Sequence, residues 1–251
     1  MRSFSACRAA AAAPAAAAGA AATAAAVAVA LAAAAGCGHG EPAGTDAGGT
    51  PTDAASASGR FLPLAVGAAW SWQVTDALGV MWTKDATVEA YEPAPGSGAM
   101  SYRIRTTDAS EVELSWQEDT GTAVRRLAED LTDLVTGAPL HDYLYLPHKM
   151  RLDEDPVHLV ASATWIDSYD ETDTDYSIGM TATTTKMYRW TVEAESEAVT
   201  VPAGTFDCLR VHRVGLATAY DKTFFFARGA GKVKEIGGTT PTEELVAYTM
   251  P

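Results

Sequence analysis

Cysteine is scarce in this chain: Cys7, Cys37 and Cys208 are all that 251 residues supply. Three thiols cannot staple a disulfide framework, so whatever folds must be held by its core. Basic residues are also few. Eighteen Lys and Arg face 32 Asp and Glu, a formal charge of −14, which argues against nucleic acid or anionic headgroups as partners. Tandem repeats are missing, and from Arg60 onward no Pro/Gly-rich break divides the chain. Motifs of catalysis are missing as well. Gly96-Ser-Gly98 lacks the frame of a nucleophile elbow, and Gly229-Ala-Gly231-Lys232 lacks the spacing and the Ser/Thr of a phosphate loop, reading as a turn. On a strand, Cys208 and His212 stand about 13 Å apart, too far for a thiolate pair, so Cys208 reads as a buried structural thiol. His141, His148 and His158 show none of the close zinc spacings.

The first 36 residues carry no acid. Arg2 and Arg8 make a positive start, residues 9 to 35 are uncharged, and Ala34-Ala35-Gly36 are the small residues a signal peptidase needs. That is a secretion signal over residues 1–36. Its end, Ala34-Ala35-Gly36-Cys37, resembles the lipobox of bacterial lipoproteins, although the usual pattern prefers Leu where this chain has Ala34. The resemblance implies cleavage before Cys37 and acylation of that residue by diacylglycerol and a further palmitate-type chain. Several chains, each contributing about 0.8 kcal/mol per buried CH₂, hold a protein firmly to a membrane. Two other readings stay open: an ordinary cleaved signal with an incidental Cys, and an uncleaved membrane helix. Pro14, Gly19 and the prevalence of Ala weigh against the helix. Gly38 stands where an Asp would mark inner-membrane retention, so the resemblance leans toward an outer membrane. Loss of Arg2 and Arg8 leaves 16 basic against 32 acidic residues, or −16.

From Gly38 to Gly59 the chain is, apart from His39 and Glu41, Gly, Ala, Ser, Thr, Pro and Asp with no large apolar residue. Such a stretch buries too little to offset its ordering entropy and reads as a tether over residues 37–59, reaching about 25 Å. Residues 60–251 are long enough for one sizeable core and short for two.

Within that domain the dominant period is two. Trp70, Trp72 and Val74 alternate with Ser71, Gln73 and Thr75. Tyr102, Ile104 and Thr106 alternate with Arg103 and Arg105, Val112, Leu114 and Trp116 with Glu111, Glu113 and Ser115, and Tyr188, Trp190 and Val192 continue the theme. Strands with one buried and one wet face follow. Turns at 92–98, 107–110 and 201–205 suit antiparallel neighbours. Pairing apolar with apolar across 101–107 and 110–117 sets Arg103 or Arg105 against Glu111 or Glu113, which predicts a loop of three or five residues. Val124, Leu127, Leu131, Leu134 and Val135 fit helical spacing, so a short amphipathic helix competes there with a strand over 121–127 and a long loop.

Three stretches resemble a group of uncharacterised bacterial lipoproteins frequent in myxobacteria. They are Phe61-Leu-Pro-Leu-Ala-Val-Gly67 running to Trp70-Ser-Trp72, Val199 to Val211 as a central hairpin, and Phe224-Phe-Phe-Ala-Arg-Gly-Ala-Gly-Lys-Val-Lys234. The family often has Val where this chain has Ala230. In layout the group is similar to the open, curved antiparallel half-barrel of lipoprotein-carrier proteins. The resemblance therefore implies an all-β, single-domain curved sheet of that kind, and brings no activity with it.

Two clusters are candidates for chemistry. Asp167, Asp170, Glu171, Asp173 and Asp175 offer hard oxygens for Ca²⁺, with Asp170, Asp173 and Asp175 the best placed, but Tyr176 stands where an EF-hand needs Gly, and a solvated loop is the plainer account. Trp70, Trp72, Trp116 and Trp190 form a candidate apolar face, either packed as core or left open for a lipid, an acyl chain or a partner's apolar segment. The expectation is an exported, lipid-anchored, non-catalytic binding or scaffolding protein without a cofactor, attached to the membrane through Cys37. The alternatives are a hydrolase or a Ca²⁺-stabilised module using the loop 167–175, or an enzyme using Cys208.

Overall fold

The computed structural model describes residues 59–238 and 241–251. The expected secretion signal, Cys37 and all of the expected tether before Gly59 lie outside these described residues. The domain is all-β, with one 3₁₀ turn at Pro156–His158. Its strands are β1 (Ala69–Thr75), β2 (Met81–Pro93), β3 (Met100–Thr107), β4 (Glu111–Asp119), β5 (Ala123–Asp133), β6 (Pro139–Asp153), β7 (Thr164–Asp175), β8 (Met180–Val201), β9 (Gly204–Gly215), β10 (Asp221–Ala227), β11 (Gly231–Gly237) and β12 (Thr242–Thr249). Each pairs antiparallel with the next. The curvature expected of the sheet runs to completion, because β1 also pairs with β12, from Ala69↔Thr249 to Thr75↔Thr242. What the half-barrel analogy left open is closed, and closure removes the unpaired edges an open sheet must protect.

Residues 60–62 strap one end. Arg60 bonds Asp119 at 2.8 Å and Glu154 at 3.1 Å, Phe61 N–H donates to Glu154 at 2.8 Å, and Gly229 N–H donates to the Arg60 carbonyl at 2.8 Å. Asp119 ends β4, and Glu154 and Gly229 belong to the β6–β7 and β10–β11 connections, all of which alternate strand direction brings to the same end. At the β10–β11 turn, the Trp70 indole donates to the Ala230 carbonyl at 2.7 Å. Gly231, at φ +88°, leaves no space there for a Cβ, which would stand 3.1 Å from Trp70 Nε1.

Packing continues at the β8–β9 hairpin. The β8–β9 hairpin turns at Pro202-Ala203, as the sequence predicts for 201–205. Its tip folds onto β12, with Ala203 N–H donating to the Leu245 carbonyl at 3.0 Å, and Val199 and Val201 share a buried cluster with Val233, Leu245 and Cys208. A separate cluster holds Trp116, Leu127, Ala128 and Ala94.

Two local expectations are corrected. Residues 123–133 form a continuous strand, neither a short helix nor a strand ending at 127 with a long loop after it. The spacing of three and four arises because a bulge at Leu127, where Gln117 pairs with Arg126 and Trp116 with Ala128, shifts the alternation by one residue. Residues 108–110 connect β3 to β4, but Thr107 pairs with Val112 and Asp108 N–H donates to the Glu111 carbonyl, so the register has the even parity of a turn at Ala109-Ser110. The expected Arg–Glu register is what is absent: Arg103 and Arg105 stand opposite Trp116 and Leu114. The reason is that β4 turns its polar side inward: Glu113 and Gln117 line the lumen with Ile104 and Thr106. Arg103 finds its carboxylates on β2 instead, Glu89 at 3.3 Å and Glu92 at 3.0 Å.

Candidate functional site

Eight strands make a barrel that side chains just fill, and twelve leave room. Here the lumen holds a cavity of about 280 Å³. Leu62 and Leu64 of the strap close its floor, and Trp70, Trp72, Ile104 and Phe224 form an apolar wall. The Trp70 and Trp72 rings stack at 6.4 Å, and the Trp72 indole donates to the Lys232 carbonyl at 3.0 Å, so both indole N–H groups are satisfied before any ligand arrives.

The remaining lining is charged. Seven cations, Lys84, Arg126, Lys149, Arg151, Arg213, Lys222 and Lys232, face the cavity with three carboxylates, Glu113, Glu235 and Glu243. A chain with a formal charge of −14 thus encloses a cationic interior.

These groups form two sets. In the first, Lys232 bridges Glu235 at 2.6 Å and Glu243 at 2.5 Å, Lys84 reaches Glu243 at 3.1 Å, and Lys222 pairs with Glu235. Burial alone would raise the Glu235 and Glu243 carboxyls, but Lys232 and its neighbours hold both below the usual range. With Asp108, 3.6 Å from Lys84, three carboxylates answer three lysines, and this set is closed upon itself.

The second set has surplus cation. Arg126 pairs with Glu113 at 2.7 Å and with Glu129, and Lys149 reaches Glu129 at 3.9 Å. Against burial, Arg126 and Lys149 pull Glu129 down to about 2. Tyr145 OH donates to Glu129 at 3.0 Å, and burial together with that carboxylate lifts the phenol above its normal value. Burial, aided by Arg126, Arg151 and Arg213 and opposed by Glu129, pulls the Lys149 amine down to about 8. Burial and Arg126 also lower Arg151. Four cations therefore meet two carboxylates at ion-pair distance. Asp167, buried close by, is held by the Met150 N–H at 3.1 Å, and burial raises its carboxyl.

Arg213 is the least compensated. It is 3% exposed, and its guanidinium carbon lies 3.8 Å from the Tyr188 ring centre, 4.9 Å from Trp190 and 5.0 Å from Tyr220. Nε and Nη2 have no hydrogen-bond partner among the described residues, nor does Nε of Arg151. Aromatic stacking satisfies the faces of a guanidinium and leaves its edge donors unspent.

The predicted site residues fall as follows. Trp70 and Trp72 line the cavity, and Trp190 is buried behind Arg213. Trp116 does not join them. It lies in the outer cluster, its indole donating to Glu92 at 3.0 Å. Asp170, Asp173 and Asp175 sit on β7, where alternation sends Asp170 to the face opposite the other two. Asp173 pairs with His141 at 2.9 Å, Asp175 caps the β7–β8 turn through Ser177, and Asp170 accepts from Thr185 at 2.6 Å. Among the described residues no group of three potential metal ligands assembles. Cys208 is fully buried, and burial pushes its thiol up to about 12. Sequence reasoning missed the interior cations. The signal was a charge continuing an apolar phase: Leu209, Val211 then Arg213 on β9.

No family model and no curated protein matches the chain. A solved structure similar to it is described as a "putative lipoprotein" from Parabacteroides distasonis ATCC 8503. The two share 12% identity over 75% of this chain and 98% of that one, with a TM-score of 0.38, a likeness too distant to bear on function.

Proposed function

We infer that the protein is an exported, lipid-anchored envelope protein whose barrel holds a small amphipathic ligand and performs no chemistry on it. The cavity carries this reading: an apolar wall of Trp70, Trp72, Ile104 and Phe224 faces a charged one inside a closed barrel, the arrangement a ligand with a greasy body and a polar head requires. The anchor rests on Ala34-Ala35-Gly36-Cys37, and Gly38 favours the outer membrane as its destination. Metabolic labelling with an alkynyl palmitate tests the anchor, with label expected on the wild-type chain and lost in Cys37→Ser. Quenching of tryptophan emission by octyl-chain amphiphiles, using the full-length protein in phosphatidylcholine nanodiscs against empty discs, tests the ligand site. Absence of quenching by every headgroup would refute it.

Lys149 favours a second reading. An amine held near 8 inside a cavity is a nucleophile at physiological pH, and it could add to the ketone of an oxo acid and lose water to give an iminium. Borohydride treatment in the presence of pyruvate distinguishes the two, because only this second reading predicts a covalent mass gain lost in Lys149→Met.

A further inference from the structure

We propose that the cavity binds an oxyanion headgroup, a carboxylate or a phosphate ester on a compact apolar body, clamped by Arg213 and Arg151 with Lys149 beside them. The proposal rests on reading the lumen as a ligand site and adds the sign and placement of the ligand's charge. Three observations carry it. Arg213 is buried and aimed into the cavity with Nε and Nη2 unpartnered, and Arg151 leaves its own Nε unpartnered on the same lining. A buried guanidinium without an acceptor is costly to keep, and planar oxyanions match its edge in bidentate fashion.

The second observation is the imbalance. Arg126, Lys149, Arg151 and Arg213 stand close enough that the three arginines depress the Lys149 amine, and Glu113 and Glu129 are the carboxylates within ion-pair distance of this set. Both of those are already engaged by Arg126. Asp167, buried close by and acted on by Arg213 and Lys149, brings the carboxylates to three against four cations, and one entering oxyanion would answer the remainder.

The third is the position of the apolar wall. Phe224 lines the cavity and stacks on Trp190 at 6.0 Å, and Trp190 in turn lies beneath the Arg213 guanidinium. A headgroup on Arg213 thus places its body along Phe224 toward Trp70 and Trp72. A cation or a neutral head at the same place would leave the two arginines unanswered.

Titrations of the full-length protein in phosphatidylcholine nanodiscs, read by tryptophan emission, compare octanoate, octyl phosphate, octanol and octylamine. The two anions are expected to bind at least tenfold tighter than octanol, and octylamine more weakly still. Arg213→Met and Arg151→Met are each expected to weaken the anions at least tenfold while leaving octanol within twofold of wild type, a control that the barrel remains folded. Arg213→Lys should recover part of the loss. A preference between octanoate and octyl phosphate, in either direction, supports the assignment and names the headgroup. Octanol binding as tightly as the anions, or variants that weaken all ligands alike, overturns the oxyanion assignment and leaves the lumen site standing. If none of the four binds, the lumen reading falls and the proposal with it.

Discussion

The guanidinium carbon of Arg213 lies 3.8 Å from the centre of the Tyr188 ring, on a side chain that lines the lumen and pairs with no carboxylate among the described residues. On β9 that arginine occupies the place in the alternation that follows Leu209 and Val211, where a packed core would set another apolar side chain. A barrel that spends such a position on a charge keeps it for something that enters.

Affinity for an anionic amphiphile should depend on Lys149. Burial pulls its amine down to about 8, and the groups acting on it are Glu129 and Arg126 from β5, Tyr145 and Arg151 from β6, Asp167 from β7 and Arg213 from β9. A lysine of lowered pKa is charged below about 8 and neutral above it, so octanoate binding should weaken several-fold between pH 7 and pH 9.5. Lys149→Met should flatten that profile. Calorimetry across the range checks both.

Arg126 ties together Glu113 and Glu129. Its replacement by Met leaves two enclosed carboxylates with one lysine between them, and breaking a buried pair in this way costs about 3 to 5 kcal/mol. Urea unfolding of Arg126→Met should show a loss of that size, and Glu113→Gln in the same background should return part of it.

Asp130 pairs across the sheet with Asp142. Burial first, then the Asp142 and Glu129 charges, push its carboxyl up to about 6. A carboxyl raised in the fold is protonated more readily there than in the unfolded chain, so it destabilises fully above about pH 6 and not at all below its ordinary value near 3.8. Asp130→Asn should therefore stabilise the protein by about 1 kcal/mol at pH 7.5, after allowance for solvent screening of a half-buried group. The gain should vanish by about pH 3.5, as melting curves across pH would show.

Trp116 and Trp70 should part company. Both are buried, but Trp116 packs outside the barrel with Leu127 and Ala94, whereas Trp70 lines the lumen. Trp116→Ala should lower stability by about 3 kcal/mol with octanoate affinity intact. Gly231→Ala, whose methyl would press on the Trp70 indole from a left-handed backbone position, should cost about 1 to 2 kcal/mol and shift tryptophan emission.

How far the chain could be read in advance follows from one property of strands. Period two identified β1, β3, β4 and β8, and the turns at 92–98 and 201–205 were in place, because alternation and turn chemistry are local. Alternation does not say which face is wet. On β1 the apolar side faces inward, on β4 the polar side does, and the inversion misplaced Trp116 and the 107–112 register together. The bulge at Leu127 imitated a helix for the same reason: one inserted residue converts two half-strands of period two into spacings of three and four. Nothing local marks Arg151 and Arg213 as neighbours, since β6 and β9 meet only through the lumen of a closed barrel.

The central claim concerns where a ligand's negative charge comes to rest. Carbon-13 spectra of the full-length protein labelled at arginine Cζ, recorded in nanodiscs before and after octanoate, observe it at the atoms concerned. The account predicts that the two resonances missing from Arg213→Lys and Arg151→Lys move on saturation while those of exposed arginines such as Arg105 stay still. Octanoate binding that leaves both of those resonances unmoved would contradict it.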